Sequence, residues 1–194
     1  FGVCILIVAN AFSHGLSDIL LNKIIGRAFG HIIVMMNERD KHTMPVIRDR
    51  ERIEQAIWDN VEGAQYAYEA VNTFTRGLGN GKSEFVVIVG VEAEEGFYEE
   101  MPPAVQGNIR DLGNQEIENP VSLYESMANN LNVELHDTIK VKFQTIYGQS
   151  QTARFTVVAI LASTNPFMDY TSFTRLDILK PLMGYQPYET ASFS

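Results

Sequence analysis

The amino-acid sequence predicts an α+β fold, in which a long N-terminal helix precedes two small mixed α/β subdomains. Two observations predict the sheet: residues 84–92 and 154–162 are Val-containing apolar runs, each preceded by a Gly-containing turn. A third predicts helices, because apolar residues recur every three or four positions in residues 49–62 and 122–132. With 194 residues, of which 45% are hydrophobic, the chain can bury a core of this kind.

The first 29 residues predict the end of a transmembrane helix that continues as a stalk. Residues 1–12 (FGVCILIVANAF) are almost entirely apolar but fall short of the about 20 residues that span a bilayer. Residues 13–29 continue the helical pattern with one apolar stripe. A buried core helix is the alternative for the first twelve. The predicted membrane and stalk positions are Ile5, Leu6, Ile7, Val8, Phe12, Leu16 and Leu20.

The first predicted subdomain is membrane-proximal and discontinuous: it combines residues 30–95 with residues 186–194, which return to complete it. Its predicted elements are, in chain order, a buried strand over residues 31–36, a helix over 49–62 that Asp49 caps, and two strands, 65–75 and 84–92, joined by a turn.

The second predicted subdomain, residues 96–185, is inserted between these two parts. Its predicted elements are a helix over residues 122–132, strands over 137–143 and 154–162, and a helix over 174–183. Apolar and polar residues alternate strictly in the strand over residues 137–143. This alternation predicts that Ile139, Val141 and Phe143 point inward and that Lys140 and Lys142 point outward.

Composition excludes several classes of function. Asp and Glu number 24 against 15 Lys and Arg, so the net charge is −9 and general attraction to nucleic acid is excluded. The same charge opposes strong attraction to anionic lipid headgroups. A single cysteine, Cys4, excludes an intramolecular disulfide and a cysteine-based zinc cluster.

Motifs for catalysis or cofactor binding do not emerge from the sequence. The run GLGNGKS (residues 77–83) lacks the spacing of a phosphate-binding loop, since its glycines lie too close to Lys82. His14 and Asp18 lie four residues apart on the predicted helix, the spacing of a possible proton-transfer or metal-binding pair. A solvated stalk face is the simpler interpretation. The glutamates of residues 92–100 lack the ligand alternation of a calcium loop. We therefore expect no catalytic residue, no cofactor and no metal ligand.

One set of segments resembles a known family. Residues 131–141 (LNVELHDTIKV) are similar to the Leu-Gly-Val-x-x-Gly-Asp-Thr-Val segment of MacB-like periplasmic core domains. The strand FTVVAI at residues 155–160 resembles the family's FTVVGI, and residues 30–34 (GHIIV) resemble the segment that follows its first transmembrane helix. Asn132 and His136 replace two glycines of the family pattern, so we expect both to adopt left-handed backbone geometry or the turn to change its path.

The resemblance implies the extracytoplasmic domain of an ABC-transporter permease of the lipoprotein-releasing and macrolide-exporter type, which includes FtsX-like relatives. It implies a bacterial inner membrane, a cytoplasmic ATP-binding subunit and a second permease chain, as homodimer or heterodimer. Such a domain would transmit ATP-driven motion to an exported or extracted substrate, a lipoprotein among the candidates, and would itself be no enzyme. A division-type relative that signals to a cell-wall hydrolase, and a soluble enzyme with an unseen site, are the alternatives.

The loop at residues 165–173 (NPFMDYTSF) predicts a contact surface for substrate or a partner. Phe167, Met168 and Tyr170 are large residues outside any alternating pattern, and aromatic and Met side chains are enriched in interface cores. The alternative is that the loop folds back and fills the gap between the two subdomains.

Overall fold

A computed structural model describes residues 32–36, 43–64, 66–163 and 168–194. The predicted stalk, residues 1–29, lies outside the described residues. The strands of this part are β1 (Val34–Met35), β2 (Glu69–Leu78), β3 (Ser83–Val91), β4 (Ala104–Gly107), β5 (Pro120–Tyr124), β6 (Thr138–Gln144), β7 (Ser150–Leu161), β8 (Thr171–Arg175) and β9 (Ser192–Phe193). Its helices are α1 (Arg50–Asn60), α2 (Glu95–Glu100), α3 (Glu125–Leu131), α4 (Leu176–Met183) and a 3-10 helix, Ile109–Gly113.

Six strands form a closed ring of backbone pairing. In order around the ring, β2 pairs with β3, β3 with β8, β8 with β5, β5 with β7, β7 with β6, and β6 again with β2. Two of these contacts are parallel, β3 with β8 and β5 with β7, and the others are antiparallel. The described residues therefore form a mixed α and β fold, as the sequence predicts.

The main hydrophobic core lies on the inner face of this ring. In β6, Ile139, Val141 and Phe143 are buried while both lysines are exposed, which confirms the predicted alternation. Helices α3 and α4 join the same core through Leu131 and Leu179, both fully buried. Each such side chain contributes about 1.5–3 kcal/mol by leaving water.

A second core covers part of the outer face. Phe173 of β8 and Val158 of β7 are buried there, beneath α2 and the 3-10 helix. Phe97 of α2 meets Phe173 edge to face with ring centroids 5.4 Å apart. The outer side chains at one end of β3, Val89 and Val91, pack against this core. One part of the outer face is thus covered by α2.

Three elements differ from the sequence predictions. The sequence predicts a buried strand over residues 31–36, but Ile32, Ile33, Met35 and Met36 are exposed; in the part of the chain that the structure describes, Val34 and Met35 pair with β9 alone. Residues 120–124 form β5 rather than the start of a helix. Likewise, residues 171–175 form β8, and α4 begins only at Leu176. Both missed strands are only five residues long. β5 is a mostly apolar run without alternation, which does not distinguish a strand from a helix, and β8 contains one apolar residue, Phe173.

The predicted local geometry is confirmed at three positions. Asp49 caps α1, since its carboxylate accepts a hydrogen bond from the Arg52 backbone N–H at 3.2 Å. Asn132 ends α3 with φ 55° and ψ 47°, and His136 has φ 68°. Both residues that replace family glycines therefore adopt the left-handed conformation, so the turn keeps its path.

A buried ion pair joins α4 to β2. The Lys180 ammonium donates to the Glu69 carboxylate and to the Pro187 carbonyl, and Arg50 of α1 donates to the same carboxylate at 2.6 Å. The Glu69 and Lys180 side chains are only 5% and 8% exposed. Burial of this kind makes the pairing obligatory, because neither charge has access to water in place of its partner.

The C-terminal segment returns to the beginning of the described chain. Strand β9 pairs with both β1 and β2, and Thr190 bridges to Ile47. Backbone hydrogen bonds between β3 and β8 also link residues 30–95 with residues 96–185. The division into two subdomains stays a prediction. No helix within the described residues is long and apolar enough to cross a membrane.

Candidate partner-binding face

The structure describes two of the three predicted contact residues. Tyr170 is 47% exposed beside the start of β8, and its carbonyl accepts a hydrogen bond from the Val87 N–H at 2.8 Å. Met168 is half-buried and packs against the second core. Phe167 lies outside the described residues, as do the seven predicted membrane and stalk positions. The contact role of this loop stays a prediction.

Tyr170 belongs to an exposed row of aromatic side chains on the outer face of the ring. Its ring centroid lies 6.5 Å from that of Phe85 on β3, and Phe85 lies 6.5 Å from Phe74 on β2. Phe74 is 61% exposed and Phe85 45%. Strand alternation turns both of these side chains outward, because the next residues on their strands, Thr73 and Val86, are buried on the inner side.

Four basic side chains continue the row across β2, β6 and β7. Arg76 of β2 lies between Phe85 on one side and Lys142 of β6 on the other. Lys140, two residues earlier on β6, is directly opposite Arg154 of β7. All four are exposed. We call this surface the aromatic–basic face; it comprises Phe74, Arg76, Phe85, Lys140, Lys142, Arg154 and Tyr170.

The two halves of this face are held in register by the ring closure. Strands β2 and β6 pair over only three residues of each, and the Thr75 hydroxyl adds a hydrogen bond to the Lys142 carbonyl. The Cβ atoms of Arg76 and Lys142, which are directly opposite each other in this pairing, are therefore held about 5 Å apart.

A small cavity of about 120 Å³ adjoins the aromatic row at Tyr170. Asp169 and three residues of α3, Ser126, Met127 and Asn130, line the rest of it. One Asp169 oxygen is buried without a hydrogen-bond partner. Burial, and secondarily the Asp169 charge, raise the pKa of the nearby Tyr124 to about 12.

Acidic side chains occupy the part of the outer face that α2 covers. Glu94, Glu99 and Glu100 are exposed there, while Glu95 forms an ion pair with Arg110. Partial burial raises the pKa of Glu92, and the negative charges of Glu94 and Glu69 raise it further. This acidic segment, residues 92–100, begins directly after β3 and so lies at the opposite end of that strand from Phe85. In the described ranges, no group of three or more His, Cys, Asp or Glu is arranged to hold a metal ion.

Sequence reasoning placed Lys140 and Lys142 on an exposed strand face but missed the site they belong to. The predicted hairpin of β2 and β3 could have located Phe74 and Phe85, since both lie at alternate, outward positions of their strands. No local signal places Arg76 beside Lys142, because these strands are about sixty residues apart and their pairing depends on ring closure.

The comparisons with known proteins identify the family. The model of the MacB-like periplasmic core domain matches residues 1–192. The chain belongs to this family. The resemblance found in residues 131–141 is thereby confirmed, and the MacB-like domain is a periplasmic domain of the kind that ABC-type transporter permeases carry.

Two solved structures are similar to this MacB-like chain. The extracellular domain of the ABC-type transporter YknZ from Gram-positive bacteria has 11% sequence identity and a TM-score of 0.50, and the match covers 83% of this chain and 79% of that one. The periplasmic region of MacB from Actinobacillus actinomycetemcomitans has 11% identity and a TM-score of 0.46, with 83% and 71% covered. The first of these shows a shared fold. No curated protein matches the chain significantly.

Proposed function

We propose that this domain transmits ATP-driven motion in a permease to a substrate at the outer surface of a bacterial inner membrane. A cytoplasmic subunit would bind and hydrolyse ATP, and two permease chains, identical or different, would move as rigid bodies in response. Family membership over residues 1–192 is the observation that supports this function. The domain would contribute motion and contact, and no chemical step.

The apolar N-terminal segment supports the proposed coupling. Residues 1–12 would end a transmembrane helix, and residues 13–29 would continue it as a stalk into the domain. A continuous helix transmits tilt and displacement because its backbone hydrogen bonds make it stiff along its axis. Ile5, Leu6, Ile7 and Val8 would lie in the membrane, with Leu16 and Leu20 packing along the stalk.

A lipid-anchored protein is the substrate class that we propose, with the predicted loop as its contact. Tyr170 supports this role, because its half-exposed ring adjoins both the aromatic row and a cavity. Phe167 and Met168 would act beside it. Exposed aromatic side chains in mutual contact are typical of binding surfaces, since they bury large areas at low cost in conformational entropy.

The test uses the full-length permease, reconstituted in vesicles with its ATP-binding subunit and a fluorescent triacylated lipoprotein. We expect Tyr170→Ser to lower ATP-dependent release of the lipoprotein about tenfold or more, as truncation of an interface anchor does. Its melting temperature and basal ATP hydrolysis should stay unchanged. Tyr66→Ser is the matched control, because Tyr66 is also an exposed tyrosine beside a strand but lies off this face.

Three results would contradict the proposal or a part of it. Release by the Tyr170→Ser permease at the rate of the Tyr66→Ser control would exclude the contact role of the loop. A melting temperature lowered by several degrees would instead identify the loop as a plug in the fold, since truncating a buried aromatic costs about 3–5 kcal/mol. Release of lipoprotein that does not depend on ATP would refute the coupling itself.

A further inference from the structure

The cavity beside Tyr170 contains a carboxylate without a partner. Asp169 lines this cavity, and one of its oxygens is buried without a hydrogen-bond partner. Among the described residues, no Lys or Arg forms an ion pair with Asp169. A buried acceptor that lacks a partner destabilises a fold, and a charged one does so more strongly. The described part of the fold therefore bears a cost at Asp169 that it does not offset.

The backbone positions this carboxylate at the cavity. The Thr171 N–H donates to the Met168 carbonyl, which closes a turn around Asp169, and the Val87 N–H donates to the Tyr170 carbonyl, both at 2.8 Å. The Met168 side chain packs against the second core. Both chain neighbours of Asp169 are thus anchored, so the fold itself positions its side chain.

The other groups that line the cavity favour a cation. Ser126 offers a hydroxyl oxygen and Asn130 an amide oxygen, and both accept hydrogen bonds. Tyr170 offers an aromatic ring, whose face attracts cations, and Met127 offers a polarisable sulfur. Of the described residues that line the cavity, none is Lys, Arg or His. A ligand would therefore meet oxygen acceptors from three residues and one aromatic ring.

The size of the cavity fits the end of a chain. Its volume is about 120 Å³, whereas one water molecule occupies about 30 Å³ in the liquid. It therefore admits a group of about four heavy atoms, such as an ammonium with its last methylenes. An ammonium also carries three donors, one for each of Asp169, Ser126 and Asn130.

We propose that this cavity binds a primary ammonium group, the end of a lysine side chain of the transported protein, with Asp169 as its counter-ion. The ammonium would donate to Asp169, and the methylenes of the lysine would lie against Tyr170, because long cationic side chains bury their apolar stems. The net charge of −9 would favour the approach of a cationic ligand. The inference deepens the proposed function, on which it rests, by naming the chemistry that selects a substrate at Tyr170.

A lysine fits better than a metal ion or the amine of a lipid. A metal ion needs several ligands, and no group of three or more His, Cys, Asp or Glu in the described ranges is arranged to hold one. A lipid amine would lie too far away: at a rise of about 1.5 Å per residue, the proposed stalk over residues 13–29 would hold the domain about 25 Å above the membrane. A lysine on a protein that contacts Tyr170 would arrive directly at the cavity.

The first test measures the ammonium site by itself, in the full-length permease with a fluorotyrosine at position 170. The probe is n-butylammonium, whose chain has the length of a lysine side chain, and n-butanol is the neutral reference. We expect butylammonium to shift the fluorine NMR signal of residue 170 in a saturable manner and butanol to leave it in place. Asp169→Asn should weaken the response to butylammonium about tenfold or more, since the ammonium loses its charged partner.

Asp59→Asn is the matched control, because it makes the same change at an exposed aspartate of α1. It should respond to butylammonium as the unmodified permease does. The melting temperature of Asp169→Asn should not fall, because the change removes a partly buried charge and keeps the size of the side chain. A weaker response in this variant would then report the lost contact and not a lost fold.

The second test identifies the source of the ammonium. Binding of a fluorescent lipoprotein to the permease is measured without nucleotide, in nanodiscs of phosphatidylglycerol, and corrected for binding to empty nanodiscs. Acetylation of the lipoprotein's lysines removes their charge and should weaken binding to the unmodified permease about tenfold or more. It should not weaken binding to Asp169→Asn further, because both changes remove the same contact.

Four results would overturn the inference. The first is an equal response to butylammonium and butanol, as expected of a cavity that holds only water, and the second is an equal response of Asp169→Asn and Asp59→Asn. The third is acetylation that has no effect on lipoprotein binding, or the same effect in Asp169→Asn. The fourth is loss of the butylammonium response in nanodiscs of phosphatidylethanolamine, which would assign the site to a lipid headgroup. None of these readouts uses ATP, so a permease that binds the ammonium but releases no lipoprotein would refute the proposed function and leave the inference standing.

Discussion

The buried ion pair between Glu69 and Lys180 makes the sharpest prediction about stability. We consider Glu69→Gln, which keeps the size of the side chain and removes its charge. The variant leaves the Lys180 ammonium, whose side chain is 8% exposed, with the Pro187 carbonyl and a neutral amide oxygen as its partners. Arg50 is less affected, because its side chain is 38% exposed and can be solvated by water.

The magnitude follows from burial. Removing one partner of a buried ion pair costs about 3–5 kcal/mol, because the remaining charge is left without compensation. We expect Glu69→Gln to lower the free energy of unfolding by about this amount. Replacing both charges with apolar side chains, as in Glu69→Leu/Lys180→Met, should cost less than the single change, since no buried charge is then left unpaired.

The assay is urea denaturation at neutral pH, with Glu95→Gln as the matched control. Glu95 also pairs with an arginine, Arg110, but both side chains are more than half exposed. An exposed pair contributes about 0–1 kcal/mol. If Glu69→Gln is no more destabilising than Glu95→Gln, or if the double apolar variant is the least stable of the three, the reasoning from burial is refuted.

Three further predictions concern single residues. Asn132→Val should lower the free energy of unfolding by about 1–2 kcal/mol, because φ 55° is strained for a β-branched residue, and Asn132→Gly should not; equal urea midpoints would contradict this. Lys142→Glu should raise the free energy of unfolding by about 0.2–1 kcal/mol, because it removes the repulsion between Lys142 and Arg76. An unchanged or lower melting temperature would contradict this. Burial raises the pKa of Tyr124 to about 12, so the stabilisation by its neutral hydroxyl is complete below about pH 10 and is lost as the pH rises through 12. We expect the Tyr124→Phe variant to lack this loss when the free energy of unfolding is measured against pH. An identical pH profile for the two proteins would exclude Tyr124 as the source of the loss.

The sequence predicts those elements whose pattern is local. Strict alternation fixes the inner and outer side chains of β6, and the residues at 132 and 136 fix the turn that leads into it. The hairpin of β2 and β3 is likewise set by two apolar runs and a Gly-rich turn. In each case the information lies within about ten consecutive residues.

What the sequence does not predict depends on distant contacts. Strand β5 is buried throughout and shows no alternation, so its residues could be assigned equally to the following helix. The exposure of β1 follows from the short edge pairing that it makes with β9. The aromatic–basic face is assembled from four strands and a loop, and its defining feature, like charges in direct opposition, is a consequence of register alone.

The central claim is that the domain moves when ATP binds to the partner subunit, and a distance measurement tests it most directly. Cys4 is the one cysteine of these 194 residues, so a permease in which it and every cysteine outside this segment are replaced by Ser, combined with Trp58→Cys, has a single labelling site on the exposed surface of α1. Spin labels at this site would be measured by double electron–electron resonance between the two permease chains in the full-length reconstituted transporter. The account predicts that the distance distribution shifts by several ångströms between the nucleotide-free and ATP-bound states. Identical distributions in the two states, with ATP hydrolysis intact, would contradict it.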